Sequence, residues 1–343
     1  MIHVGIVGLG FMAATHLRAY RDVAQARVVA ICNPSGRHLD GDFSKVAGNV
    51  GAKDPVILDM KHIRATTNFQ ELLAAPDIQL IDICAPTAAH RELTLAALGA
   101  GKHVLCEKPM ARTVAAAQEM AAAAERAGRY LMPAMCMRFW PEWVWIKDAI
   151  QQNRFGRVLA ARFRRVAEPP GWGQKNFFDG AASGGALVDL HIHDTDFVQF
   201  CFGRPRSVFS TGYSLFSGAI DHVVTQYQVP SGAIVHAEGG WAMQPGFGFS
   251  MACTVNFQSS TVDFDLARTN DLLRLFQAGR EPETIRCSGP DGYVGQLRHL
   301  AESIEAGRPP SVVTAREAIS ALDICAAEEQ SIASGQPVTL ASR

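Results

Sequence analysis

Ile2-His3-Val4-Gly5-Ile6-Val7-Gly8-Leu9-Gly10-Phe11-Met12-Ala13 decides how the rest of this chain is read. A short apolar run reads as a buried strand over 2–7, and an amphipathic stretch over 11–23 reads as a helix. Between them stands G-x-G-x-x-A. Gly8 permits a tight turn, Gly10 lets a pyrophosphate approach the backbone, and Ala13 allows close helix–strand packing. The helix N-terminus then offers N–H groups and positive dipole to phosphate oxygens. Gly8, Gly10, Phe11 and Met12 are therefore candidate dinucleotide contacts. A tight turn in some other α/β fold is the alternative. The strand before, the helix after and the second strand beyond favour the dinucleotide.

That second strand, over 27–32, ends in Cys32-Asn33-Pro34-Ser35-Gly36-Arg37. An acidic residue usually stands there to bond the ribose 2′-OH. Asn33 can still bond a hydroxyl, but it lacks the charge that repels a 2′-phosphate. Ser35 and Arg37 suit such a phosphate, the guanidinium through charge-assisted hydrogen bonds. A surface turn with a solvated Arg37 accounts for the same residues. NAD and NADP both stay open, with a lean towards NADP.

Working outward, apolar runs at 80–84, 103–105 and 130–134 alternate with helical stretches at 69–75, 88–100 and 115–127. Continuous Val/Ile/Leu runs with helices between them predict a doubly wound parallel sheet covered on both faces. A polar stretch over 34–64 shows no regular pattern. Beyond about residue 135 the texture changes. A helix over 141–152 leads into runs at 158–165, 208–213, 223–229, 234–241 and 261–265, rich in β-branched and aromatic residues with few helices between them. This predicts an α+β domain with an open, mainly antiparallel sheet. Helical patterns close the chain at 295–306 and 314–334. The domains are placed at 1–134 and 135–343, with the last helix free to pack back on the first.

Composition agrees with this architecture. The chain has 343 residues, which at about 150 residues per domain suggests two domains. Lys and Arg total 32 against 33 Asp and Glu, so no global basic field exists to attract nucleic acid or an anionic membrane. No apolar run is long enough for a membrane span, and the N-terminus lacks the pattern of a signal peptide. Eight cysteines are scattered without a C-x-x-C pair. They read as buried thiols of a reducing, cytoplasmic compartment, and no metal is expected.

Two further stretches carry chemistry. Ala85-Pro86-Thr87 with His90, and Cys106-Glu107-Lys108-Pro109, follow strands whose carboxyl ends face the ligand crevice of an open sheet. Pro86, Thr87, His90 and Glu107 are candidate cofactor contacts. Lys108, kept out of helical conformation by Pro109, can hold and polarise a substrate oxygen. A surface lysine paired with Glu107 is the plainer reading. The third stretch is Gly184-Gly185-Ala186-Leu187-Val188-Asp189-Leu190-His191-Ile192-His193-Asp194-Thr195-Asp196. On a helix, Asp189, His193 and Asp196 share a face, so Asp189 can orient His193 while His193 exchanges a proton. On a strand, Asp189, His191 and His193 would align and H-x-H would suggest a metal. The preceding Gly-Gly and the apolar Ile192, Phe197, Val198 and Phe200 fit the helix better, with a capped, solvated helix as the remaining possibility.

Together these stretches resemble the Gfo/Idh/MocA oxidoreductases over nearly the whole chain: VGIVGLGFMA, AGKHVLCEKP, GGALVDLHIHDTD and the tail from GYVGQLRHLAESIEAGRPP through GQPV. The resemblance implies a Rossmann domain followed by an α+β domain whose sheet forms a homo-oligomer interface. It implies Lys108, Asp189 and His193 as catalytic residues, with Glu107 on the nicotinamide side. Arg138 and Asp194 become substrate candidates, His191 is either an extra substrate contact or only a packing residue, and the substrate is expected between the domains. The implied reaction is hydride transfer between NAD or NADP and a secondary alcohol of a sugar, polyol or related small molecule. An NAD-dependent glycosidase or lyase using transient oxidation, and a non-enzymatic nucleotide sensor, are the two rivals.

Overall fold

The computed structural model describes residues 1–46, 48, 54–171 and 177–341. The chain divides into two compact units, Met1–Phe139 with Pro290–Ile319, and Trp140–Gly289 with Ser320–Arg343. The first contains β1 (Ile2–Val7), α1 (Phe11–Ala19), β2 (Ala26–Cys32), β3 (Arg64–Thr66), α2 (Phe69–Ala74), β4 (Leu80–Ile83), α3 (Thr87–Gly99), β5 (His103–Cys106), α4 (Val114–Ala127) and β6 (Leu131–Pro133). All its strand pairs are parallel, in the order β3-β2-β1-β4-β5-β6. The apolar runs are buried as a sheet covered on both faces requires: Val4, Ile6, Ile81 and Ile83 have no exposed surface. The helix expected over 11–23 stops at Ala19 and tightens into a 3₁₀ turn, Tyr20–Asp22. β3, inside the supposedly irregular stretch 34–64 and just beyond it, is too short to show a period. Residues 47 and 49–53 of that stretch lie outside the described residues.

The second unit contains α5 (Pro141–Gln151), β7 (Val158–Ala167), α6 (Ile192–Phe202), β8 (Ser207–Tyr213), β9 (His222–Gln228), β10 (Ile234–Gly240), β11 (Phe249–Phe257), β12 (Thr261–Asp265), β13 (Leu273–Phe276) and β14 (Glu283–Thr284). After α7 (Gly292–Glu305), which belongs to the first unit, come α8 (Ala315–Ser334) and β15 (Val338–Thr339). The sheet has nine strands in the order β14-β13-β12-β11-β7-β10-β9-β8-β15. Every pair is antiparallel except β7 with β10. β9 shows the half-buried alternation expected of such a strand, with Val223, Thr225 and Tyr227 inward and Val224, Gln226 and Gln228 outward.

The penultimate helix, α7, belongs to the first unit and packs on α1, and the last helix begins in the same unit. The central strand β11 escaped the sequence reading because its inward residues include Met251 and Cys253, which do not look like strand formers. Among the described residues no helix is long and apolar enough to cross a membrane. The cysteines are free, and all but Cys287 are buried. Burial pushes the Cys32 and Cys287 thiols up to about 11, so both stay protonated near neutrality.

Candidate active site

Strand register brings the separate motifs of the first unit to one edge. Cys32, Val7, Ile83, Cys106 and Pro133 lie side by side across β2, β1, β4, β5 and β6. The residues just beyond that row are Asn33, Gly8, Cys84, Glu107 and Ala134. The strand order reverses between β1 and β4, the place where open α/β sheets bind ligands.

Gly8 has φ +86°, and a Cβ there would lie 2.5 Å from the Ala85 backbone. Gly10 caps α1 without any side-chain bond, and a Cβ there would meet nothing within 4 Å. Open space at the start of a helix whose first N–H groups lack helical partners is what a pyrophosphate needs. Ala13 is fully buried, as close packing requires, while Phe11 and Met12 are half-buried. These residues fit a nicotinamide dinucleotide.

Beyond β2 the side chains are arranged differently from the expectation. Asn33 turns inward on its own loop: its Oδ1 accepts from Ser35 N at 3.3 Å and Ser35 Oγ at 3.0 Å, and its amide donates to Arg37 O at 2.8 Å. Arg37 is exposed, and no partner for its guanidinium is found among the described residues.

Pro86 and Thr87 open α3 at the same edge. His90 is buried with both ring nitrogens against backbone carbonyls, Nδ1 at 2.9 Å from Pro109 O and Nε2 at 2.8 Å from Ala85 O. Burial holds its pKa below the usual range, so a neutral ring donates to one carbonyl at a time. His90 thus ties together the loops after β4 and β5. Glu107 is buried and its Oε2 accepts from the Lys108 amide at 3.0 Å, while the Lys108 side chain is half-buried beyond the sheet edge.

Arg138 is 1% exposed, inside the first unit. It donates to Val312 O at 2.9 Å and Glu317 Oε1 at 2.6 Å, anchoring the 3₁₀ turn Cys136–Phe139.

In the second unit, Asp189 and His193 are half-buried while His191, Asp194 and Asp196 are buried. Leu187–His191 form a π turn that runs straight into α6. Such turns widen a helix locally and recur at functional sites. Asp189 and His193 thus keep an accessible side, whereas Asp196 lies on the buried face and accepts from Gln199 at 3.1 Å. The metal-suggesting strand arrangement is absent from this stretch.

Three anchors fix that helix. Asp194 takes a two-point bond from Arg165 of β7 at 2.8 and 3.2 Å. His191 Nε2 lies 3.1 Å from Tyr227 Oη, and Tyr227 donates to Glu328 at 2.7 Å. Burial, and then Glu328, push the Tyr227 phenol well above its usual range, so it remains a donor. Phe197 stacks edge-on against Trp143 at 4.7 Å, with Phe264 and Phe163 at 5.5 and 6.1 Å completing the aromatic core. These bonds make His191 and Asp194 supports of the Asp189–His193 face.

Sequence reasoning missed a buried polar cluster beneath the Rossmann edge: His16 on α1, Tyr20, Asp82 on β4, Cys84 and Gln296 on α7. The available signal was Asp82 itself, a carboxylate within an otherwise apolar buried strand, which demands a partner.

Two family models match the chain. One, described as an oxidoreductase family with an NAD-binding Rossmann fold, matches residues 2–135, and the other, the Gfo/Idh/MocA C-terminal domain, matches 143–260. This protein belongs to the Gfo/Idh/MocA oxidoreductase family. A 1,5-anhydro-D-fructose reductase of Ensifer adhaerens is 40% identical over 40% of this chain, which spans only 41% of that reductase. A myo-inositol 2-dehydrogenase of Thermotoga maritima is 24% identical over 91% of this chain and 90% of its own length. The fold is shared with an aldose-aldose oxidoreductase of Caulobacter crescentus, at TM-score 0.83, 23% identity and 99% coverage of both chains. It is shared equally with a levoglucosan dehydrogenase solved with NADH and levoglucosan, at TM-score 0.84, 21% identity and 99% coverage of both.

Proposed function

We propose that this protein is an NAD(P)-dependent dehydrogenase or reductase acting on a secondary alcohol or ketone of a sugar, polyol or related small molecule. The observation that carries the reading is the common edge from which Gly8, Gly10 and Lys108 emerge. Nicotinamide, when bound, supplies the carbon that accepts or returns hydride. The Lys108 ammonium holds the substrate oxygen and stabilises negative charge developing on it. His193 removes the hydroxyl proton, and Asp189 orients the imidazole or bonds a neighbouring hydroxyl. The names of the relatives support sugars and polyols as the substrate class. Arg37 and the uncharged Asn33 support NADP as the preferred cofactor.

A homo-oligomer through the second sheet is part of the proposal, supported by Leu159, Phe209, Val224 and Ile234, which are 39–61% exposed on its strands. Light scattering coupled to size exclusion reads the subunit number. Free cysteines support a cytoplasmic location. The deciding experiment is a sugar and polyol panel with NAD⁺ and NADP⁺, following absorbance of the reduced cofactor. Net reduction with at least one substrate supports the reading. Substrate turnover without net reduction would favour a glycosidase or lyase, and the absence of any turnover would favour a nucleotide sensor.

A further inference from the structure

His16 occupies an unusual position for a buried imidazole. Its Nδ1 lies 2.9 Å from Asp82 Oδ2, and its Nε2 lies 3.0 Å from Glu107 Oε1. His16 and Asp82 have no exposed surface, and Glu107 has 5%. Tyr20 Oη donates to the same Asp82 oxygen at 3.1 Å, and Cys84 Sγ stands 3.5 Å from both His16 Nδ1 and Asp82 Oδ1. The Gln296 amide is 3.2 Å from Nε2, and the Tyr293 ring centroid lies 6.3 Å away.

Two acceptors on opposite nitrogens are satisfied together only by a doubly protonated ring. Burial alone would pull the His16 pKa down, but Asp82 overcomes it and leaves the value well above 6.5. Burial and Asp82 also keep Cys84 a thiol. The Gln296 atom 3.2 Å from Nε2 is its amide nitrogen; two N–H groups cannot face one another, so with Nε2 donating to Glu107 the amide is assigned the other way round, its oxygen towards the ring. The other Glu107 oxygen, Oε2, accepts from the Lys108 amide. A continuous chain thus runs from Asp82 through His16 and Glu107 to the main chain of Lys108.

We propose that His16, clamped between the Asp82 and Glu107 carboxylates, is a positioning residue that fixes Glu107 and, through it, the backbone at Lys108. The inference rests on Lys108 being the group that holds the substrate oxygen. His16 touches neither substrate nor cofactor in this scheme. It holds the buried Glu107 carboxylate in place as an acceptor for the Lys108 amide, and small displacements of a reacting group cost large factors in rate.

Two substitutions separate positioning from general stability. Gln at 16 places an amide nitrogen where Nε2 meets Glu107, whereas Asn places one where Nδ1 meets Asp82. His16→Gln should keep kcat within about threefold of wild type, while His16→Asn should lower it about tenfold or more with little change in substrate KM. Their melting temperatures should fall alike. Equal kcat values in the two variants, whether unchanged or falling together with stability, would overturn the proposal. Should either variant fail to fold, ¹⁵N NMR of the wild-type imidazole decides: both nitrogens should be protonated at neutral pH, where an ordinary imidazole is mostly neutral. A neutral ring overturns the proposal. His16, Asp82 and Cys84 also lie close enough to hold a cation, so stoichiometric zinc in wild type that is lost in both variants overturns it as well. Full turnover by Lys108→Met would instead remove the reading on which the inference rests.

Discussion

Gly8 and Ala85 meet backbone to backbone where β1 and β4 leave the sheet, so that a Cβ on Gly8 would stand 2.5 Å from both Cα and N of Ala85. Gly10, two residues on, has φ −99° and open space before it. The two glycines should therefore fail differently. Gly8→Ala should cost about 2–4 kcal/mol through positive φ and overlap. Gly10→Ala should leave thermal stability unchanged and weaken dinucleotide binding, because its methyl group fills phosphate space. Thermal melts beside NADH and NADPH fluorescence titrations read both effects.

Lys108→Met should lower kcat by about 10²–10³ while leaving the cofactor Kd near wild type, since its charge acts on the substrate oxygen. His193→Asn should lower kcat by about 10²–10⁴. Asp189→Asn should act in the same direction but less severely, because it works through the orientation of His193. Steady-state rates with the best substrate of the panel check all three.

Arg37 should set cofactor choice. Losing one charge-assisted bond to a 2′-phosphate costs about 1.5–3 kcal/mol. Arg37→Ala should therefore weaken NADP⁺ binding by about one to two orders of magnitude and leave NAD⁺ binding unaltered. Equal losses for both cofactors would show that Arg37 does not discriminate between them.

Asp194→Ala should act on the fold rather than on substrate affinity. It strands Arg165, which is 4% exposed on β7, and removing one partner of a buried ion pair costs about 3–5 kcal/mol. Urea unfolding should record that loss, while substrate KM in the folded fraction stays near wild type.

Asp221 should make part of the second unit's stability depend on acid. Its Oδ2 accepts the amides of Leu215, Phe216 and Ser217 at 2.7, 2.6 and 3.0 Å, and Oδ1 accepts Ser217 Oγ and the Trp241 indole at 2.6 and 2.7 Å. Burial would raise its pKa, but these donors together hold it below 3.8. A depressed folded-state value means that the stabilisation is complete above the unfolded pKa of about 3.9 and is lost as pH falls through the folded one. Asp221→Asn should cost about 1–3 kcal/mol at pH 7. Urea titrations at decreasing pH should show the gap to wild type closing only below about pH 4.

Much of this was legible in one dimension. The glycine turn, the buried strands, the change of texture near residue 135 and the Asp189–His193 spacing all follow from local geometry and hydrophobic period. The partners of the site candidates were less legible. His90, Arg138, His191 and Asp194 look functional as isolated polar letters, yet each is held by partners 5 to 179 residues away. Conversely, His16 and Asp82 sit 66 residues apart and show no shared motif.

The sequence by itself determined most of the strands and helices, where a phosphate-accepting turn begins, and that the summed charge makes no basic field. Those properties depend on near neighbours along the chain and on summed charge. Only the tertiary structure decided which polar side chains keep an accessible side and which are consumed in the interior. A buried polar group must find its counterpart wherever the strand order delivers one, and that pairing is set by sheet register and helix packing rather than by proximity in the chain.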